Sequence, residues 1–257
     1  MKDIDQIKLG FNQENKDKFL YFDTETTDLI EKEIIQLAFL TDDGKEFNMY
    51  FKPKGEISFS AMAVHNITPE MLEKEPTFEG AKYNGQNVKD YLIELTKQYI
   101  WVAHNAEFDL EVLRKLDIEV PKLICTFKIA RDLLSIDQKD EYDLQSYSLQ
   151  FLRYYLGLYK NENTKNNTAH DALSDVHFLR DLFQYFQDNF DLTTEKMLNI
   201  TKAPLIIRNI HHGKHAGKSI REIQAEDPNY LQWILDTWED KPDVIWNIKR
   251  VLEKPTT

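Results

Sequence analysis

The first fifty residues contain three short apolar segments that predict strands. Residues 18–23 (KFLYFD) are apolar and aromatic, and residues 34–41 and 46–51 follow at the spacing of hairpins. The Asp-Asp-Gly at 42–44 is a favourable turn between the last two segments. We therefore predict a three-stranded antiparallel meander.

Beyond the meander, helical patterns alternate with a buried strand. Residues 99–104 (YIWVAH) have the continuous apolar character of that strand, and Asn105 is the predicted N-cap of the helix after it. The predicted helices share an apolar face at helical spacing: residues 61–68, 105–115, 126–134, 147–158 and 171–188. Strands followed by alternating strands and helices predict an α/β fold with a mixed sheet flanked by helices.

The character of the sequence changes after Phe190. Residues 213–223 (GKHAGKSIREI) are basic and contain glycines, and residues 227–235 (DPNYLQWIL) predict a helix that begins at Asp-Pro. A closing helix is predicted near residues 244–252. We divide the chain into a charged N-terminal extension (1–17), a main domain (18–190), a linker (191–204) and a small C-terminal domain (205–257).

Composition excludes several classes of protein. The longest apolar run, residues 34–40, is much shorter than the roughly 20 residues that cross a bilayer, so we expect no membrane partner. The charged N-terminus lacks the apolar core of a signal peptide. Cys125 is the only cysteine, which excludes an internal disulfide and indicates a reducing, cytoplasmic location.

Charge is unevenly distributed along the chain. The net charge of −12 argues against a protein that coats nucleic acid by charge alone. Residues 196–257 carry +2, which leaves −14 for residues 1–195. Residues 201–221 contain five Lys or Arg, three His and no acid, so a basic accessory patch is expected there.

Four carboxylates stand at predicted element ends. Asp23 and Glu25 lie in FDTETTDL (22–29) and, two residues apart on a strand, project from one face at about 7 Å spacing. Asp109 in HNAEFDL (104–110) lies one turn into a helix, and Asp175 ends HDALSD (170–175). Because gathered acids repel without cations, we predict divalent metal here.

His170 precedes Asp175 by five residues. Two helical residues at this spacing cannot share a face, so His170 is predicted in the loop or at the helix entry, and Asp175 inside the helix. An imidazole placed in this way suits deprotonation of a water, and paired cations suit in-line displacement at phosphorus. Phosphodiester hydrolysis is the predicted reaction. His104 remains open between a structural and a functional role.

These three acidic segments resemble the three exonuclease motifs of the DEDD exonucleases, the ribonuclease H-like group that includes the proofreading subunit of bacterial replicative polymerase. The resemblance covers residues 18 to about 188, and the position of His170 is similar to the histidine branch of the group. It implies a ribonuclease H-like five-stranded mixed sheet. It also implies that the four acids bind two Mg²⁺ or Mn²⁺ and that His170 is the general base.

The same resemblance suggests contacts with the substrate. AMAVHNIT (61–68) resembles the family's Ala-x-x-x-His segment, which implies that His65 touches the 3′-terminal nucleotide. Leu29 and Phe108 fall where family members place apolar residues against the terminal bases, with core packing as the alternative role. Asp28 departs from the family, which often has Gly there; Asp tolerates left-handed turn geometry.

The C-terminal segment resembles the small C-terminal domain of exodeoxyribonuclease X-like proteins. We hypothesise that Lys214, Lys218 and Arg221 contact the nucleic-acid backbone, the alternative being a structural cap with a solvated basic loop. The histidines at 211, 212 and 215 are not expected to bind metal, because no nearby acid or cysteine in the sequence completes a site.

The sequence thus predicts a two-metal 3′–5′ exonuclease of the histidine DEDD type that acts on DNA 3′ ends and releases 5′-mononucleotides. A ribonuclease of the same fold that acts on RNA is the first alternative, since discrimination depends on the 2′-hydroxyl. A proofreading or repair accessory that docks on a polymerase is the second. A binding module without activity is disfavoured because all five active-site residues are present.

Overall fold

A mixed sheet forms the centre of the molecule. The computed structural model describes residues 17–134, 144–161, 172–210, 212–238 and 241–253. The strands in these ranges are β1 Phe19–Thr26, β2 Ile34–Thr41, β3 Glu46–Tyr50, β4 Lys82–Tyr83, β5 Gln86–Asn87, β6 Ile100–Ala103 and β7 Leu123–Cys125. The main sheet has five strands in the order β3-β2-β1-β6-β7, and β4 and β5 form a separate small hairpin.

The strand directions confirm the predicted α/β class and the mixed five-stranded sheet. β1 pairs antiparallel with β2, and β2 with β3, which is the predicted meander. β6 runs parallel to both β1 and β7. The three-residue β7 was not predicted, because so short an apolar segment carries no clear periodicity.

Helices cover both faces of the sheet. The α-helices of the described residues are α1 Phe59–His65, α2 Pro69–Leu72, α3 Val88–Gln98, α4 Glu107–Lys115, α5 Thr126–Leu133, α6 Leu149–Tyr155, α7 Ala172–Asn189, α8 Thr194–Lys202, α9 Ile220–Glu226, α10 Pro228–Thr237 and α11 Pro242–Glu253. The helix α3 lies in a stretch for which no element was predicted. None of these helices is long and apolar enough to cross a membrane.

The alternation of side chains along β1 separates two cores. Leu20 and Phe22 pack with residues of α3 and α4 on one face. Phe19 and Tyr21 pack on the other face with residues of α5, α6 and α7. Because successive strand residues point to opposite faces, the residues of β1 after Phe22 also alternate between these two faces.

The predicted N-cap at Asn105 is wrong. Ala106 is the N-cap of α4, and Asn105 has a left-handed backbone with φ 58°. The carbonyl of Asn105 accepts a hydrogen bond from the Phe108 N–H at 3.1 Å, which closes the turn between β6 and α4. Asn both caps helices and tolerates left-handed geometry, and the sequence does not distinguish the two uses.

The predicted linker contains the helix α8. This helix packs against β7 and α5, and Lys128 of α5 donates from Nζ to the carbonyls of Thr201 (2.9 Å) and Ala203 (2.8 Å) at its C-terminal end. Beyond it, α9, α10 and α11 enclose a small apolar core of their own. The domain boundaries drawn from the sequence stay a prediction.

Candidate metal centre

Asp23 and Glu25 lie on the part of β1 that extends past its pairing with β6. Both are half-buried, and by strand alternation both project from the same face as Tyr21. The ring of Tyr21 contacts that of Phe183 in α7, with centroids 5.5 Å apart. The two carboxylates therefore project toward the α7 side of the sheet.

Asp175 meets these two acids from the first turn of α7. One carboxylate oxygen from each of Asp23, Glu25 and Asp175 lies within 4.8 Å of the other two. Oxygen donors at this separation fit a hard divalent cation, whose charge also offsets their mutual repulsion. We call these three residues the acidic cluster.

Asp109 approaches β1 from the opposite face. Its Oδ1 accepts hydrogen bonds from the Thr24 hydroxyl at 2.6 Å and from the Thr24 N–H at 3.2 Å. The Thr24 side chain points away from Asp23 and Glu25 because strand residues alternate. The structure therefore brings three of the four predicted carboxylates together. The fourth, Asp109, is hydrogen-bonded to Thr24, the residue between Asp23 and Glu25.

Burial dominates the chemistry of Asp109. The residue is 3% exposed, and desolvation raises its pKa to about 7, although the two hydrogen bonds from Thr24 oppose the shift. A carboxyl in this state holds a proton near neutral pH, and a bound cation would displace that proton.

His170 lies outside the described residues, as does Asp171. Its predicted role as the proton acceptor next to Asp175 stays a prediction.

His65 ends α1 and is buried, at 4% exposure. Its Nδ1 accepts a hydrogen bond from the Ile67 N–H at 2.9 Å, whereas its buried Nε2 has no hydrogen-bond partner among the described residues. Burial lowers the pKa of His65, and the backbone of Thr26 in β1 opposes that shift. The imidazole is therefore neutral and lies beside the end of β1 that carries Glu25.

The two predicted apolar contacts differ in exposure. The Leu29 side chain is 79% exposed on the loop after β1. Phe108 is half-buried against the core under α4, and the Lys32 ammonium lies 4.8 Å from its ring centroid. Leu29 is thus accessible to a ligand, whereas Phe108 has a packing role on one side and a cation on the other.

Asp28 stabilises the loop after β1 by hydrogen bonds. Its Oδ1 accepts from the N–H groups of Ile30 and Glu31, both at 2.6 Å. Desolvation raises the pKa of Asp28, but these bonds outweigh it and leave the pKa below its ordinary value. The left-handed residue of this loop is Lys32, with φ 51°. Asp28 therefore acts through its side chain rather than through left-handed geometry.

His104 has the structural role that the sequence left open. Its Nε2 donates to the Tyr147 carbonyl at 2.8 Å, and its Nδ1 lies 2.9 Å from the Thr126 hydroxyl. Burial lowers its pKa to about 4, so the ring stays neutral and joins β6 to the segment before α6.

Two polar residues at the acidic cluster were not predicted. Thr24 lies between Asp23 and Glu25, so strand alternation places its hydroxyl on the opposite face of β1. This position was the sequence signal that could have identified it as a hydrogen-bond donor to Asp109. Gln150 of α6 donates from Nε2 to Asp175 Oδ1 at 2.7 Å. No sequence signal links Gln150 to Asp175, because the two residues are 25 positions apart on different helices.

The basic residues of the C-terminal segment are largely paired with acids. Lys214 Nζ lies 2.7 Å from Asp227 Oδ2, and Lys218 is paired with Glu226. Arg221 is exposed and has no ion pair within the described ranges. The stretch that is free of acid in sequence is therefore partly neutralised in space.

His215 has an acidic neighbour that the sequence did not indicate. Its Nε2 lies 3.0 Å from Asp227 Oδ2, and hydrogen bonds from Lys214 and His215 lower the pKa of Asp227 to about 2. His212 is exposed, and His211 lies outside the described residues. Asp227 is the N-cap of α10, so these contacts attach the basic loop to the start of that helix.

Two family models match the chain. The model described as Exonuclease matches residues 20–183, which include the acidic cluster and Asp109. The model described as Exodeoxyribonuclease X-like C-terminal matches residues 211–237.

Curated and solved proteins agree with these matches. Exodeoxyribonuclease 10 of Escherichia coli (strain K12) is 30% identical over 241 residues, which cover 90% of this chain and 97% of that protein. DNA polymerase III subunit epsilon of Buchnera aphidicola is 25% identical over 262 residues, 91% of this chain and 100% of that protein. The solved complex of Exonuclease X with 5′ overhanging duplex DNA superimposes with a TM-score of 0.53 at 27% identity, and covers 71% of this chain and 99% of that chain.

Proposed function

Because the chain belongs to the exonuclease family, we propose that it is a 3′–5′ exonuclease that hydrolyses the terminal phosphodiester bond of DNA and releases 5′-mononucleotides. The observation that carries the proposal is the convergence of Asp23, Glu25 and Asp175 within 4.8 Å in the part of the chain that the family model matches.

The cofactor of the proposed reaction is a pair of Mg²⁺ or Mn²⁺ ions. When bound, such ions activate a water and stabilise the leaving oxygen of an in-line displacement at phosphorus. Asp23, Glu25 and Asp175 would hold the ions, and Asp109, which is hydrogen-bonded to Thr24 between two of them, would complete the ligand set. All donors are carboxylate oxygens, which these hard cations prefer.

The remaining roles follow the family's motifs. His170 accepts the proton of the attacking water, for which an imidazole of ordinary pKa is suited. His65, Leu29 and Phe108 contact the 3′-terminal nucleotide. The exposure of Leu29 supports its contact, whereas the contact of the buried His65 rests on the family's motif alone.

DNA is the proposed substrate because similarity to Exodeoxyribonuclease 10 extends over 90% of the chain. The match of residues 211–237 to the exodeoxyribonuclease X-like C-terminal model supports the same choice. We also propose a reducing, cytoplasmic location, in agreement with the single buried Cys125.

A DNA polymerase is the candidate protein partner. Similarity to a DNA polymerase III subunit epsilon over 91% of the chain favours it. Co-purification of a polymerase with the tagged chain would support this association, and full activity of the isolated chain would show that activity does not require it.

The test uses short oligonucleotides that carry a label at either end. With Mg²⁺, single-stranded or duplex DNA labelled at the 3′ end should lose its label at once as a mononucleotide, and the same DNA labelled at the 5′ end should shorten stepwise. EDTA should stop both reactions. Asp23→Ala should lower the rate at least about 100-fold, because it removes an ion-holding carboxylate.

The matched control is Asp188→Asn, an exposed acid on α7 about 20 Å along the helix from Asp175. It should keep wild-type activity. Activity in EDTA, or a fully active Asp23→Ala protein, would exclude the mechanism. If an RNA oligonucleotide is degraded faster than DNA of the same sequence, the preferred substrate is RNA and not DNA.

A further inference from the structure

Gln150 lies between the acidic cluster and a buried arginine. It is the second residue of α6, whose start is fixed by Ser148, the N-cap that accepts from the Phe151 N–H at 3.3 Å. Its Nε2 lies 2.7 Å from Asp175 Oδ1, and its Oε1 lies 3.0 Å from a terminal nitrogen of Arg153. One amide therefore joins a carboxylate to a guanidinium.

The chemistry of the two neighbours determines which way this amide points. An ionised carboxylate only accepts hydrogen bonds, and a guanidinium only donates them. The NH₂ group must therefore face Asp175 and the carbonyl oxygen must face Arg153. The opposite orientation would place the amide oxygen against the Asp175 carboxylate and the NH₂ group against the N–H groups of Arg153.

Arg153 is itself held in place by the helix that carries Asp175. It is 9% exposed, and its guanidinium lies 3.9 Å from the ring centroid of Phe178, one turn after Asp175 in α7. A guanidinium over an aromatic face is attracted by the ring and packs closely on it. The contacts form a closed circuit from α7 through Arg153 and Gln150 back to Asp175.

A neutral amide suits this position because it orients the carboxylate without neutralising it. A lysine at the same distance would satisfy Asp175 by charge and would compete with a cation. An amide donor fixes one oxygen of Asp175 and adds no positive charge to the cluster.

We propose that Gln150, held by Arg153, is a positioning residue that fixes Asp175 for divalent-ion binding. The proposal rests on the proposed function, since it assigns the acidic cluster to metal. Partners of this kind behind a metal ligand typically change metal affinity by about 10- to 100-fold.

The test measures Mn²⁺ binding by calorimetry without nucleic acid, on the wild-type chain and on Gln150→Met. Methionine keeps the length of the side chain and removes the amide. We expect Mn²⁺ affinity to fall about 10- to 100-fold, and turnover at saturating Mn²⁺ to stay within a few fold of wild type. Melting in EDTA shows that each protein is folded.

Gln232→Met is the matched control. Gln232 donates from Nε2 to Asp236 Oδ1 at 2.9 Å on α10, which is the same kind of bond in the C-terminal domain. Its loss should leave Mn²⁺ affinity unchanged.

A second variant, Gln150→Glu, keeps the length but replaces the donor by an acceptor. It should bind Mn²⁺ no more tightly than Gln150→Met. Wild-type affinity in folded Gln150→Met, or tighter binding by Gln150→Glu, would overturn the positioning role while exonuclease activity remains. If the wild-type chain binds no Mn²⁺ and degrades no DNA, the positioning role and the proposed function both fail.

Discussion

The carboxyl of Asp109 combines nearly complete burial with two hydrogen bonds from Thr24. Burial favours the protonated acid and the hydrogen bonds favour the anion, and burial dominates, since its pKa rises from 3.8 to about 7. The folded protein therefore keeps a proton that the unfolded chain releases above pH 3.8. The stability that this group contributes is complete below that pH and is lost as the pH rises toward about 7.

We predict that Asp109→Asn removes this dependence in metal-free protein. Asparagine keeps an oxygen that accepts from Thr24 and carries no charge. Between about pH 4 and pH 8, the free energy of unfolding of wild type should fall relative to the variant by up to about 4 kcal/mol. Urea denaturation in EDTA at both pH values measures the difference.

Wild type is compared with Asp109→Asn because His104 contributes a pH dependence of stability with the opposite sign. Its folded pKa, lowered by burial to about 4, costs stability as the pH falls below 6.5. That contribution is present in both proteins and cancels. Asp188→Asn, which removes an exposed carboxyl, is the control. Parallel pH profiles for wild type and Asp109→Asn would contradict the prediction.

The same residue shows what single positions in the sequence disclose. Strand alternation correctly placed Asp23 and Glu25 on one face, because the period of two depends only on local backbone geometry. It gave no indication that Asp109 would turn to the hydroxyl of Thr24. That contact depends on how α4 packs on β1, which is a tertiary property.

At the scale of elements, the long apolar segments were predicted well and the short or polar ones were not. β2 and β3 match the predicted segments closely, since the turn residues 42–44 separate them clearly. No helix was predicted at α8, because its core contact is limited to a few residues, with Met197 fully buried. Polar contacts with α5 add to this packing.

We predict that Lys128→Met loosens the attachment of α8. The variant loses two hydrogen bonds from Lys128 to carbonyls at the C-terminal end of α8, where a cation also favours the helix dipole. Unfolding free energy should fall by about 1–3 kcal/mol, because two partly buried carbonyls lose their donor. Limited proteolysis should cut near residues 201–210 faster than in wild type.

The control is Lys122→Met, which replaces an exposed lysine just before β7. Its side chain has no hydrogen-bond partner within the described ranges. Equal proteolysis of Lys128→Met and Lys122→Met would show that the apolar contacts of α8 hold the segment without Lys128.

At the scale of the whole molecule, the change in charge and the change in packing do not coincide: residues 196–257 carry +2, but this range includes most of α8, which packs against β7 and α5. Residues 1–195 contain the acidic cluster, and within residues 196–257 the helices α9, α10 and α11 enclose an apolar core of their own. The sequence indicated the charge asymmetry because charge composition needs no structure. It could not show that Asp227 and Glu226, just beyond the basic stretch, would pair with Lys214 and Lys218.

This pairing separates the three basic residues proposed to contact DNA. A lysine already paired with an acid contributes less binding energy to a phosphate than Arg221, which has no ion pair within the described ranges.

We predict that Arg221→Gln weakens binding of a single-stranded DNA oligonucleotide and reduces the slope of log affinity against log salt by about 1. Lys218→Gln, the matched control in the same segment, should change both quantities less. Fluorescence anisotropy at several salt concentrations, in Ca²⁺ to prevent degradation, measures both. If neither variant changes the slope, the C-terminal segment is a structural cap, and the proposed contacts with DNA belong to residues 1–195.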